Sequence, residues 1–480
     1  MFAAFNFFVK KILCILLGIV IFSNIAVAKV NPSDTVKKKK DLLNRSETRM
    51  GWSFLAHPSV SYDADKGLQL GLMGHLYNFG DGGIYPEYYQ SFFIHAAYST
   101  KRSGIFRASF DSKHLIPDHR LRVELAYLPD ALSDFYGLNG YQSVYNAQWC
   151  DPKSENYISR AFYKSQRDLL RLTAEMNGPL GGNWHWNVGT GLMGCMIDTV
   201  NTSMINGSKA NDNLLPEVDG LYEKYKLWRV LTPAEANGGW HPYLRGGLVF
   251  DNRDRLQNTH RGMNADIFLT YYAAFGQDKD YNNLMFNVNF RHFVPIYKDW
   301  IFFAYRLAAQ LTVAGKSPFY LSSFHNNLFT QRQSSDALGG ISSLRGILRN
   351  RAVAPSFAFA NVEMRFKLCQ FHIRKEIVHI GLNAFADAGM ILFPYKLNET
   401  AILENIQKYD PEFLSSGGRL SDYLLFGDEA PIYRPHVSAG IGLKFMMNDN
   451  IVLSVDWATA CQKADNQKLS NFYVEMGYLF

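Results

Sequence analysis

Apolar and polar residues alternate along most of this chain. In HVSAGIGLKF, residues 436–445, one face carries His436, Ser438, Gly440, Gly442 and Lys444, and the other Val437, Ala439, Ile441, Leu443 and Phe445. Residues 358–368 repeat the pattern, with Asn361, Glu363, Arg365 and Lys367 opposite Ala360, Val362, Met364, Phe366 and Leu368. Residues 183–192 do so again, Asn183, His185 and Asn187 facing away from Trp184, Trp186 and Val188. Side chains alternate across a strand, so each stretch predicts a strand with one apolar and one polar face.

The same reading places strands at 53–62, 68–79, 90–100, 105–114, 120–128, 157–176, 183–198 and 241–251. Eight more follow at 263–275, 284–294, 299–313, 352–368, 377–393, 436–447, 451–460 and 470–480. A soluble sandwich also alternates, but these strands are long and even in number, as a membrane-spanning barrel requires. The long connections, 129–156, 199–240, 314–351 and 394–435, each follow an odd-numbered strand and so share one end. Long outside loops opposite short periplasmic turns are the outer-membrane arrangement. The expectation is all-β: a 16-stranded antiparallel transmembrane β-barrel at 51–480, integral to a Gram-negative outer membrane and surrounded by its lipid.

The start of the chain agrees with export. Lys10 and Lys11 precede an apolar run ending Ala26-Val27-Ala28, which reads as a signal peptide over 1–28. Residues 29–50 then form a short basic periplasmic arm containing Lys37–Lys40, a solvated charge run rather than a nucleic-acid site. The formal charge of +6 is modest for 480 residues, while aromatics reach 15%. Cys150, Cys195, Cys369 and Cys461 are scattered without a CxxC pair, so metal binding is not expected and their disulfide state stays open.

Candidate chemistry is sparse. Gly189-Thr190-Gly191-Leu192-Met193-Gly194 matches a dinucleotide fingerprint as a string, yet it lies in an alternating strand with no helix after it. His185, His241, His260 and His436 fall on separate segments and read as satisfied lumen residues. No G-x-S-x-G elbow and no nucleophile–base pair stands out, so neither an enzyme nor a cofactor is expected.

GGISSLRGIL, residues 339–348, sets a lone arginine on a glycine-hinged loop between the eleventh and twelfth strands. Leu344-Arg345-Gly346-Ile347 resembles the loop-tip motif of the Omp85 superfamily, the bacterial surface antigen or BamA/TamA-type barrels. Ile347 stands where the family has an aromatic, which implies weaker packing at the tip. Phe385-Ala386-Asp387-Ala388-Gly389 matches the family's Phe-x-Asp-x-Gly strand. Residues 58–68 resemble its first hairpin, and GGLVFDNRD at 246–254, with Gly262, its mid-barrel turn. The final NFYVEMGYLF, ending Tyr478 and Phe480, is similar to a barrel terminal signal, although Gly477 is displaced from the usual position.

The resemblance implies sixteen strands and a loop folded back into the lumen. Asp387 shares the polar face with Asn383, and Glu363 is inward on the neighbouring strand, so Arg345 is expected to latch onto Asp387 with Glu363 in support. A planar guanidinium grips carboxylates in a way lysine cannot. It also implies insertion, assembly or translocation of client proteins at the outer membrane. The family's POTRA modules do not fit into residues 29–50, so a separate periplasmic accessory protein is expected. A passive pore or structural scaffold is the alternative reading.

Overall fold

The computed structural model describes residues 49–476, apart from 64–66, 86, 101, 208–213, 256–257, 276–279, 299, 325–336, 374–375, 448–450 and 468–469. The signal peptide, all of the arm before Arg49, and Tyr478 and Phe480 therefore lie outside the described residues.

The strands are β1 (Trp52–Asp63), β2 (Gly67–Asn78), β3 (Gln90–Ser99), β4 (Gly104–Ile116), β5 (His119–Asp134) and β6 (Lys164–Gly181). Next come β7 (Trp184–Asp198), β8 (Gly238–Asp251), β9 (Gly262–Tyr272), β10 (Asn283–Tyr297) and β11 (Ile301–Gly315). The last five are β12 (Ser356–Ile373), β13 (Glu376–Phe393), β14 (His436–Met447), β15 (Ile451–Ala460) and β16 (Asn471–Met476). They form one sheet in sequence order, each pairing antiparallel with its neighbour, and β1 and β16 are its two ends.

Burial along the strands runs opposite to a soluble fold. On β14, His436, Ser438, Gly442 and Lys444 are buried, whereas Ala439, Ile441, Leu443 and Phe445 are exposed. Elsewhere Phe54 is 70% exposed, Leu244 64% and Phe472 74%. Soluble monomers do not display an apolar band of that extent, and hydrocarbon is the solvent that accommodates it. The sheet is a 16-stranded transmembrane β-barrel, polar inside.

Strand ends differ from the alternation where the chain enters the loops. β6 begins at Lys164 rather than 157, because Phe162 and Tyr163 turn aside into an aromatic cluster. β12 begins at Ser356 rather than 352; Pro355 has no N–H to give the ladder, and Ala352 and Ala354 pack with the preceding loop. β5 runs on to Asp134.

The long loops pack together into an extracellular cap with helices α1 (Thr202–Asn206), α2 (Leu221–Leu227), α3 (Glu399–Tyr409) and α4 (Pro411–Ser415). Its core is aromatic: Phe135, Phe162, Tyr225, Trp228, Phe413 and Tyr423 belong to one buried cluster. Trp228 also donates its indole N–H to Asp410 (2.8 Å). All four described cysteines are free thiols.

Candidate functional site

Residues 337–352 form a compact loop whose base is a bridge between Leu338 and Ala352. Asn350 Oδ1 accepts the Ala337 N–H, and the Gly340 N–H donates to Ile347 O, which closes the loop on itself. Gly339 and Gly340, at φ +110° and +81°, take the left-handed turns that place Arg345 at the tip.

Arg345 meets Asp387 on β13 as a two-pronged pair. Nε donates to Oδ2 and Nη2 to Oδ1, both at 2.9 Å, and the Arg345 backbone N–H adds a third bond to Oδ2 at 3.0 Å. Nη1 donates to Glu363 Oε1 on β12 (2.6 Å) and to Asp456 Oδ2 on β15 (3.4 Å). Arg365 Nε holds the other Glu363 oxygen (2.8 Å), and Lys444 Nζ holds Asp456 Oδ1 (2.6 Å). Three cations thus face three carboxylates, and Arg345, Glu363 and Asp387 are almost wholly buried. Burying ions is tolerable only with this degree of mutual pairing.

The Phe-x-Asp-x-Gly segment gains a physical meaning residue by residue. Phe385 lays its ring under the guanidinium, 3.4 Å from centroid to Cζ, a cation–π contact. Asp387 supplies the charge. Gly389 supplies room, since a Cβ there would lie 2.9 Å from Leu344 Cδ1. Across the β13–β14 ladder Gly440 sits opposite Phe385, and a Cβ on it would meet that ring at 2.4 Å. Leu344, Arg345, Gly346, Glu363, Phe385, Asp387 and Gly389 therefore converge on one locus.

Ile347 departs from the expectation of weak tip packing. It is buried with Leu338, Leu344, Phe357, Phe359 and Ile391, because its aliphatic branch fills the gap between loop and strands.

Several partners escaped sequence reasoning. Asn361 Nδ2 donates to Ser343 O (2.6 Å) and Arg306 Nη1 to Ser342 O (3.1 Å). Arg349 Nε pairs with Asp134 (2.7 Å) at the top of β5. Arg351 is fully buried and gives its donors to the carbonyls of Ala464, Gly140 and Ser143. Asp456 and Tyr473, whose hydroxyl accepts the Gly346 N–H, come from the final hairpin. Asp456 was readable in principle, as a carboxylate on the polar face of IVLSVDWATA.

A 16-stranded barrel with an apolar exterior and an ion-bound loop inserted among its last strands defines an integral outer-membrane protein of Gram-negative type. The sequence matches the Omp85 superfamily domain over residues 44–480, and the chain belongs to that superfamily. Its fold is similar to that of BamA from Haemophilus ducreyi lacking POTRA domains 1–3. The TM-score is 0.50 at 15% identity, covering 89% of this chain and 70% of that one. CdiB from Escherichia coli compares at TM-score 0.49 and 12% identity, over 88% of this chain and 62% of its own, so the chain spans less than two thirds of CdiB. None of the curated proteins compared matches the chain.

Proposed function

We propose that this barrel acts in the insertion and assembly, or the translocation, of proteins at the outer membrane, together with a separate periplasmic partner. The observation that carries the reading is the Arg345 cluster, which binds one loop to β12, β13 and β15 through buried charges. In this proposal the cluster is the fixed reference for a barrel whose last strands part and return, since removing one partner of a buried ion set leaves an uncompensated charge.

The working edge in this proposal is the seam between β1 and β16. β1 and β16 are the two ends of the sheet, and neither is paired with the other among the described residues. An edge strand released there offers unpaired N–H and C=O groups, on which a client strand can form by β-augmentation. The loop latch of Arg345 on Asp387 holds the neighbouring strands in register meanwhile.

Depleting the protein in its host and quantifying the envelope tests this. Selective loss of a set of barrels or surface proteins before growth fails is the expected result. An unchanged envelope would assign the barrel to the pore or scaffold class. Cross-linking from Lys37–Lys40 in intact cells should recover one periplasmic protein; lipid alone would remove the partner from the proposal.

A further inference from the structure

The connection between β15 and β16 is more than a turn. Hairpin loops are usually exposed and bond mainly to themselves. Here Asp465 and Asn466 are almost completely buried, and together with Ala464 they bond to the latch loop at three points. Asn466 Nδ2 donates to Gly346 O (3.0 Å), the Leu348 N–H to Asp465 O (3.3 Å), and Arg351 Nε to Ala464 O (2.9 Å). One step further, the Gly346 N–H donates to the Tyr473 hydroxyl on β16 itself (2.9 Å). Gly346 has φ +88°, and a Cβ on it would stand 2.9 Å from the Thr459 backbone, so the loop tip rests directly on β15.

The Asp465 carboxylate faces the other way. Oδ2 accepts from the Tyr141 hydroxyl (2.6 Å), which belongs to the cap, and Oδ1 from His436 Nδ1 (2.6 Å) at the top of β14. Tyr141 stacks on the His436 ring at 4.0 Å, and Gln467 bonds to the cap at Ala147 N and Tyr145 O. Burial and the adjacent Asp465 charge push the Tyr141 hydroxyl far above the ordinary phenol range, so it remains a donor. Each Asp465 oxygen is thus taken by a different element, and displacement of the hairpin breaks both bonds together.

We infer that residues 461–467 are a clasp coupling seam strand β16 to the latch loop and to the extracellular cap, with Asp465 and Asn466 as positioning residues. The inference rests on the seam reading given above. Movement of the cap at Tyr141 reaches β16 through the buried Asp465 carboxylate, the adjoining Asn466–Gly346 bond and the Gly346–Tyr473 bond. The state of the extracellular face therefore sets how firmly the seam strand is held.

Hydrogen exchange of the full chain in lipid nanodiscs, read by mass spectrometry, tests the clasp. Asn466→Ala combined with Tyr473→Phe should speed exchange of amides 471–476 by about tenfold, as expected for lost buried hydrogen bonds, and leave β7–β10 unchanged. Tyr141→Phe, remote from the seam and confined to the cap, should speed the same amides by about threefold. Unchanged β16 protection in both variants, or equal acceleration over the whole barrel, overturns the inference. Should the double variant fail to fold, Asp465→Asn keeps the shape and is held to the same readout. Client assembly is measured in parallel. A loosened β16 with normal assembly would overturn the proposed function and leave the clasp standing.

Discussion

The latch and the cap are fastened by opposite means. Below, one loop is fastened by directional charge: a forked Arg345–Asp387 pair, a Glu363 brace and an Asp456 contact. Above, several loops are fastened mainly by aromatic faces around Trp228, Phe162, Tyr225 and Phe413, with Lys224 lying over the Trp228 and Phe413 rings. Apolar packing tolerates small shifts because its attraction is nearly non-directional. Charge pairing in a buried place tolerates none, since an orphaned ion is penalised in full. The cap can adapt its surface while the latch keeps one geometry.

The sharpest way to break this contrast is Arg345→Asp. It adds a fourth carboxylate to the three, takes away their central cation and should destabilise the barrel by about 5 kcal/mol, at the top of the range for orphaned buried charges. Urea unfolding in detergent reads the loss, and adding Asp387→Arg should restore part of it; no rescue would argue against direct pairing. Trp228→Ala should cost about 3–5 kcal/mol, confined to the cap. Limited proteolysis should then cut the cap loops while residues 337–352 stay protected, and release of both would merge the two regions into one unit.

Gly389→Ala tests space rather than charge. The new methyl meets Leu344, with an expected cost of about 1–3 kcal/mol that a second change, Leu344→Ala, should partly relieve. Phe385→Leu removes the ring under the guanidinium and should cost about 0.5–2 kcal/mol in the same unfolding assay.

The smallest effect concerns pH. Burial raises the Glu235 carboxyl above its ordinary value, although Thr232 and Phe319 N–H groups bond to it. A raised carboxyl binds its proton more tightly when folded. Its contribution is therefore complete below the unfolded value and is lost as pH rises through the folded one. Glu235→Gln should flatten that dependence in a cap-unfolding titration carried upward from the ordinary carboxyl range.

How much of this was legible follows from what the alternation encodes. Strand number, order and the polar placement of Glu363 and Asp387 are period-two properties, visible in one dimension. The Arg345–Asp387 pairing needed family resemblance, because periodicity gives a side chain's face and not its height. Asp456, Tyr473 and Asn466 were missed for a further reason: their approach depends on where the loop tip comes to rest against the last hairpin. The cap was read only as loop length. Its aromatic residues carry no period, and Phe162-Tyr163 even lengthened a predicted strand, since adjacent aromatics suit a pleated surface as well as a packed turn.

One further consequence concerns the order of assembly. Arg345 reaches Asp456, 111 positions later, and Gly346 reaches Tyr473, 127 positions later. The first contact cannot exist until β15 has docked, nor the second until β16 has. The finished charge cluster is thus a record of completion: a nascent barrel missing its final hairpin carries an incomplete set of bonds, and truncation is registered at a loop far upstream of the break.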